Sequence, residues 1–178
     1  VWLCRPIEQS RSDIKVAVAI DPQTEEASAY ALSQRMLELS QSMAEECSGQ
    51  LHIISCWDYE CEEYVRNNPW VGVPESEIED AIHNTEKTNL KELYKLMSAA
   101  KIEDKDNKIF NLRGKADKKI PDFVKENDID ILVMGTVART GIPGFIIGNT
   151  AENIVQKVGC SLMTLKPNGF VSPVKPYQ

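Results

Sequence analysis

Nowhere in this chain is there a run of about 18 apolar residues, so no membrane-spanning helix is expected. Residues 1–6 lack the charged start and long apolar core of a signal peptide, and a cytoplasmic location is the expectation. Basic residues are the minority: 20 Lys and Arg against 27 Asp and Glu leave a net charge of −7. That excludes broad electrostatic attachment to DNA or RNA, which draws on Lys and Arg contacts to phosphate. It leaves room for a single nucleotide, because one loop can be electropositive in an acidic protein. The five cysteines, Cys4, Cys47, Cys56, Cys61 and Cys160, include no C-x2-C pair, and neither His52 nor His83 lies in a motif. Zinc needs tighter clustering of ligands, so reduced thiols used for packing are expected. A redox pair at Cys56 and Cys61 is left open by their spacing. No G-x-S-x-G elbow is present, and no Walker lysine, since Gly148 is followed by Asn149 and Thr150. No catalytic constellation stands out. Any hydrolysis of ATP would be slow and would take its Mg²⁺ from solution.

What is present converges on one stretch. An apolar run over 131–134 ends at Gly135, a loop carries Gly141 and Gly144, and a helix begins near Gly148. The run reads as a buried parallel strand. A strand, a glycine-rich loop and a helix N-terminus together make an anion site, because exposed backbone N–H groups and the helix dipole favour negative charge. The competing reading is that the glycines only permit the turn and close helix–sheet packing. Asn149 and Thr150 would either donate to phosphate or cap the helix.

Taken in order, strands are expected over 14–20, 51–56, 108–112, 129–134 and 161–165. Helices are expected over 24–47, 75–100, 118–126 and 148–158. Leu32, Met36, Leu39, Met43 and Cys47 would form the apolar stripe of the first helix, and Ile78, Ile82, Leu90, Leu93, Met97 and Ala100 that of the second. Strands alternating with helices imply a parallel α/β sheet with right-handed crossovers. Residues 1–6 read as a short strand ending at Pro6. Its layout repeats that of 160–167, also a strand running into a basic residue and proline. It therefore reads as the closing strand of a preceding domain of the same kind, against the alternative of a simple N-terminal arm, with 7–12 as linker, 13–167 as the domain and 168–178 as an extended tail. Such a strand seeks a sheet edge, and 161–165 is the expected acceptor.

Gly135 and Gly148 are the outer members of a Gly-x2-Gly-x9-Gly-Ser/Thr pattern, which resembles the nucleotide-binding signature of the universal stress protein family. Ala138 stands at the second glycine, and Asn149 at the Ser/Thr position with Thr150 next. The runs Gly-Thr-Val-Ala-Arg-Thr-Gly-Ile and Gly-Asn-Thr-Ala-Glu are similar to those of tandem-domain members. The resemblance spans 14–167 and implies a doubly wound five-stranded parallel sheet, order 3-2-1-4-5, with helices on both faces. In that order a ligand site falls at the carboxyl ends of the first and fourth strands. It further implies a stress-response role, an adenine nucleotide such as ATP bound with Mg²⁺, and a homodimer or tandem-domain contact through the last strand.

On that reading Asp21 approaches the adenine and ribose end, against the alternative of an Asp-Pro turn that merely ends the strand. Cys56 would border the base through its backbone. Gly135, Ala138, Gly148, Asn149 and Thr150 would surround phosphate, and Arg139 in the loop would reach it. The connection over 57–74 carries Trp57, Tyr59, Tyr64 and Trp70, which would cover a base, line a pocket for an apolar small molecule, or pack against the second helix. Its acidic residues Asp58, Glu60, Glu62 and Glu63 would repel a triphosphate. The alternative function is a nucleotide-free interaction protein working through this loop and the edge strand.

Overall fold

The computed structural model describes residues 1–24, 26–47, 49–103, 107–136 and 148–167. Its elements are β1 (Trp2–Leu3), β2 (Val16–Ile20), α1 (Ala27–Glu46), β3 (Leu51–Trp57), α2 (Glu62–Asn67), α3 (Glu75–Ala99), β4 (Lys108–Arg113), α4 (Ala116–Glu126), β5 (Ile131–Gly135), α5 (Asn149–Lys157) and β6 (Ser161–Leu165). They build one six-stranded sheet in the order β1-β6-β5-β2-β3-β4. The pairs joining β2 through β6 are parallel, in the expected order of five. The sixth strand is β1, antiparallel on β6 with Trp2 opposite Met163 and Leu3 opposite Leu162.

Strands β2 and β5 are apolar at every position because both of their faces are covered. All five residues of β2 are buried. Val16, Val18, Ile53, Ile131 and Val133 pack with Met36 and Leu37 of α1 and Leu93, Leu96 and Met97 of α3. The alternate residues Ala17, Ala19, Ile54, Leu132 and Met134 meet Ile120, Phe123 and Val124 of α4 and Ile154 of α5. Each fully buried large apolar side chain contributes about 1.5–3 kcal/mol relative to exposure. His52 belongs to the second layer, buried and stacked on Phe110 with ring centroids 5.7 Å apart and an interplanar angle of 3°.

The helix faces depart from the expected stripes. In α1 the buried residues are Ser33, Met36, Leu37, Ser40 and Ala44, whereas Leu32 and Met43 sit at the margin of the core. The small hydroxyl residues allow close approach to the sheet, and Ser40 satisfies its Oγ on the carbonyl of Met36 at 2.7 Å. In α3, Asn89 is buried along with the expected Ile78, Ile82, Leu93 and Met97 and with Leu96, whereas the expected Leu90 is only partly buried. Helix α4 begins at Ala116, ahead of the expected start, and carries Pro121 inside it. A proline cannot donate to the carbonyl four residues back, here that of Asp117. Lys157 of α5 supplies the missing donor, its Nζ lying 3.0 Å from that oxygen.

Strand β1 is held by more than its two ladder residues. The amide of Thr164 donates to the carbonyl of Val1 at 2.8 Å, the terminal amine of Val1 donates to the carbonyl of Thr164 at 2.9 Å, and the amide of Arg5 donates to Ser161 Oγ at 2.9 Å. The expected acceptor strand is therefore the one that is used. The tail 168–178 lies outside the described residues.

Candidate functional site

Register and alternation place the site. Ile20 pairs with Ser55 and Ala19 with Met134, so Asp21, Cys56 and Thr136 stand at one level across three neighbouring strands. Ala19, Ile54 and Met134 pack toward α4 and α5, and the period-two alternation of a strand brings Asp21, Cys56 and Thr136 to that same face. This is the carboxyl end of the sheet, between β2 and β5, where the strand order changes direction.

The ends of the glycine-rich loop meet here. The amide of Gly148 donates to the carbonyl of Thr136 at 2.9 Å, and the amide of Thr136 donates to the carbonyl of Leu165 at 3.3 Å. Residues far apart in sequence thus lie side by side, with Gly148 buried at the start of α5. Among the described residues no side chain caps that helix, and Asn149 and Thr150 are exposed at its first turn. Capping is therefore not what these two side chains do. The first amides of a helix lack intrahelical acceptors, and Glu152 is where the ladder starts, on the carbonyl of Gly148. Thr136 is 4% exposed and its Oγ1 has no hydrogen-bond partner among the described residues. A buried hydroxyl left without a partner costs about 1–3 kcal/mol, which makes it a marker for something that completes the site.

Gly135 is less constrained than its place in the pattern suggests. A Cβ built there would meet Leu32 Cδ2 at 3.5 Å and Met36 Sδ at 3.6 Å, ordinary contacts on the α1 side of the sheet. Packing alone does not require glycine at this position. Ala138 and Arg139, with Gly141 and Gly144, lie outside the described residues.

Asp21 serves its own turn. Its Oδ1 accepts the amide of Gln23 at 3.1 Å, the side-chain turn that Asp favours before a helix. Its carboxylate also acts on Cys56. Burial first, then the charge of Asp21, push the Cys56 thiol up to about 11, while Lys119 pulls the other way. At neutral pH this thiol stays protonated, so it packs and does not act as a nucleophile. The five cysteines are free, and Cys61 is exposed at the start of α2.

Two residues at this end of the sheet escaped the sequence reading. Asn89 is 1% exposed, and its Nδ2 donates to Ser55 Oγ at 2.8 Å and to Asn111 Oδ1 at 2.7 Å. Its Oδ1 accepts Gln23 Nε2 at 3.3 Å, so it ties the turn after β2 to α3, β3 and β4. A polar residue within the apolar period of α3 was the only signal. Lys119 is the other. Gly114, at φ +123°, lies so close beneath it that a Cβ would stand 2.8 Å from Lys119 Cε.

The aromatic connection divides into two parts. Trp57 is buried with Ile78 and Ile82 of α3, and Tyr59 and Val65 pack beside it. Tyr64 and Trp70 point to solvent, Trp70 being 97% exposed. The acidic residues are partly neutralised: Glu62 accepts from Arg66 at 3.0 Å and from Arg113, and those two guanidinium groups hold its carboxyl below the usual carboxylate range. Arg66 also bonds Glu75 and Glu79, and the Arg113 guanidinium lies 5.7 Å from the Trp57 ring. Beside α2 is an open cleft of about 530 Å³ lined by Asp58, Tyr59, Glu60, Arg66 and Lys115 among others. The aromatic rings do not cover the Asp21–Thr136 site as a lid.

Comparison with known proteins agrees with this architecture. The chain is 27% identical over 166 residues to universal stress protein E of Salmonella typhi, covering 90% of this chain and 49% of that one. It spans about half the length of the curated relatives it matches. A functionally unknown protein from Pseudomonas aeruginosa PAO1 superposes with a TM-score of 0.61 at 23% identity, over 91% of this chain and 50% of that one. A universal stress protein crystallised in complex with cAMP superposes with a TM-score of 0.55 at 16% identity, over 87% of this chain and 98% of that one. The model of the universal stress protein family matches residues 14–166, nearly the whole of the sheet and its helices, and the chain belongs to that family.

Proposed function

We propose that this chain is a binding module for an adenine nucleotide, ATP with its Mg²⁺ foremost, held at the carboxyl ends of β2, β3 and β5. The observation that carries the reading is the buried Thr136 Oγ1, without a hydrogen-bond partner among the described residues, beside the N-terminus of α5, which no described side chain caps. A hydroxyl and a row of free amides suit phosphate oxygens, and the residues present fit such a group. Asp21 and the Cys56 backbone would face the nucleoside end, Gly148, Asn149 and Thr150 the phosphates. Gly135 would contribute through its backbone at the strand end, and Ala138 and Arg139 complete the proposed set from the loop. A member of the family in complex with cAMP supports the ligand class. Signalling would run through a homodimer or a tandem domain. The outer edge of β6 is taken by β1, so on this reading β1 is the closing strand of a preceding domain and carries the tandem contact. Release of bound small molecules from freshly purified protein, read by mass spectrometry, is the test. Stoichiometric ATP, ADP or AMP is expected. An absence of nucleotide, together with a melting temperature unmoved by added ATP and Mg²⁺, would overturn the reading.

The exposed Trp70 and Tyr64 favour a second reading, a nucleotide-free interaction protein whose 57–74 connection contacts a partner. An apolar species in the same mass spectrum, or partner capture abolished by Trp70→Ala, would support it.

A further inference from the structure

We propose that the surface built from α2, the turn Pro69–Val71 and the start of α3 docks a positively charged peptide segment of a partner protein, one with an apolar side chain among its Lys and Arg residues. This rests on the 57–74 connection as a contact surface, and it holds whether or not a nucleotide is bound.

The apolar part of the surface is exposed in one place. Trp70 is 97% exposed, Tyr64 64%, Val71 41% and Val73 38%. Asn68 ties the turn to α2: its Nδ2 donates to the carbonyl of Tyr64 at 2.7 Å, and its own carbonyl accepts the amide of Val71 at 3.0 Å. The base is fixed. Arg66 bonds Glu62 in its own helix and Glu75 and Glu79 of α3, while Trp57, Ile78 and Ile82 form a small core with Tyr59 and Val65. A preformed surface loses little freedom on binding, and Trp and Tyr are the residues that most often anchor an interface.

Charge selects the occupant. From Asp58 to Asp80 stand eight acidic residues and one basic, Arg66, a formal −7 that equals the charge of the whole chain. Acids and bases balance in the rest of it. Asp58, Glu60, Glu63, Glu77 and Asp80 make no ion pair among the described residues, which leaves their charge to a partner. Asp58, Glu60, Glu62 and Glu63 line the open cleft of about 530 Å³ beside α2, against Arg66 and Lys115. A second copy meeting this surface across a two-fold axis would bring the same −7 against itself. An anionic lipid surface or a nucleic acid would be repelled. A basic segment is instead steered in. Its Lys and Arg side chains meet the carboxylates, and a cation over the Trp70 ring gains further, while its apolar residue shares the cover of Tyr64, Val71 and Val73.

The experiment pans a random-peptide display library on the immobilised full chain and scores which sequences are lost on Trp70→Ser and on the double variant Glu60→Lys, Glu63→Lys. All three positions are exposed, and Glu60→Gln with Glu63→Gln is the milder pair should the reversed charges disturb α2. Sequences of net positive charge with an apolar residue are expected on the parent. A synthetic peptide of that kind should bind about tenfold or more weakly to Trp70→Ser and to the charge-reversed pair. It should also bind about tenfold more weakly at about 0.15 M salt than at about 0.01 M, as screening shortens. Neutral or acidic sequences that still need Trp70 would overturn the basic occupant and leave the contact surface standing. Sequences held equally by parent and variants, or none enriched, would overturn the proposal and the contact surface together.

Discussion

The amide of Gly148 lies 2.9 Å from the carbonyl oxygen of Thr136, and this one bond fixes the start of α5 against the end of β5. It brings a helix N-terminus without a cap among the described side chains to a buried hydroxyl that has no partner among the described residues. Backbone groups make the bond, so side-chain changes at Thr136 leave it intact. Function and stability can then be separated at this residue.

Thr136→Val keeps the branched shape and removes the hydroxyl. Because Oγ1 bonds nothing in the described structure, the variant should be as stable as the parent, or more so by about 1 kcal/mol. Urea unfolding reads that term. Nucleotide affinity should fall, since a ligand oxygen would lose its donor. A destabilised variant would mean that the hydroxyl already has a structural partner.

Asn89 predicts the opposite pattern. It is 1% exposed and joins Ser55, Asn111 and Gln23 in one network. Asn89→Ala leaves a cavity and strands buried polar groups on two strands, a loss of about 2–4 kcal/mol. Chemical denaturation should show it directly. The turn carrying Asp21 would also lose its tether through Gln23, so ligand affinity should fall in the same variant.

The alternation of parallel strands with crossover helices and the acceptor for β1 were legible because apolar runs and turn residues specify them locally, whereas the order of the strands came from the family resemblance and not from periodicity. Asn89 was not, since a helical period counts apolar positions and this buried position is polar. Residues at the margin of α1 were misread for a related reason. Ser33 and Ser40 face the sheet because small side chains let the helix approach, while larger Leu32 and Met43 flank them. The pattern Gly135 to Gly148 pointed to the candidate site, but Thr136 came forward only with the register of β2 against β5. Lys119 needed the contact with Gly114, which joins two elements and has no periodic signal.

His52 carries a pH prediction. Burial first, then the charge of Lys108, hold its pKa below the ordinary 6.5. The unfolded chain therefore binds more protons than the folded one as pH falls through 6.5, and stability drops in that direction. Above 6.5 the contribution is fully present. His52→Phe keeps a ring against Phe110 and Phe123 and removes the titration. Unfolding free energies measured from pH 8 down to about 5 should slope less in this variant than in the parent, and identical slopes would place the acid sensitivity elsewhere.

Gly114 gives the last prediction. Two costs coincide there for any L residue: the φ of +123° and the approach of a new Cβ to 2.8 Å from Lys119 Cε. The amide of Gly114 also donates to the carbonyl of Trp57 at 2.7 Å, so the turn cannot relax without giving up that bond. Gly114→Ala should therefore cost about 1–3 kcal/mol through backbone strain alone, with a smaller steric part on top. The double variant Gly114→Ala, Lys119→Ala removes the steric part and keeps the strain. In a cycle with Lys119→Ala, the two changes should couple by about 0.5 kcal/mol or more, as residues in contact do. Full additivity would mean that the lysine stem moves aside freely.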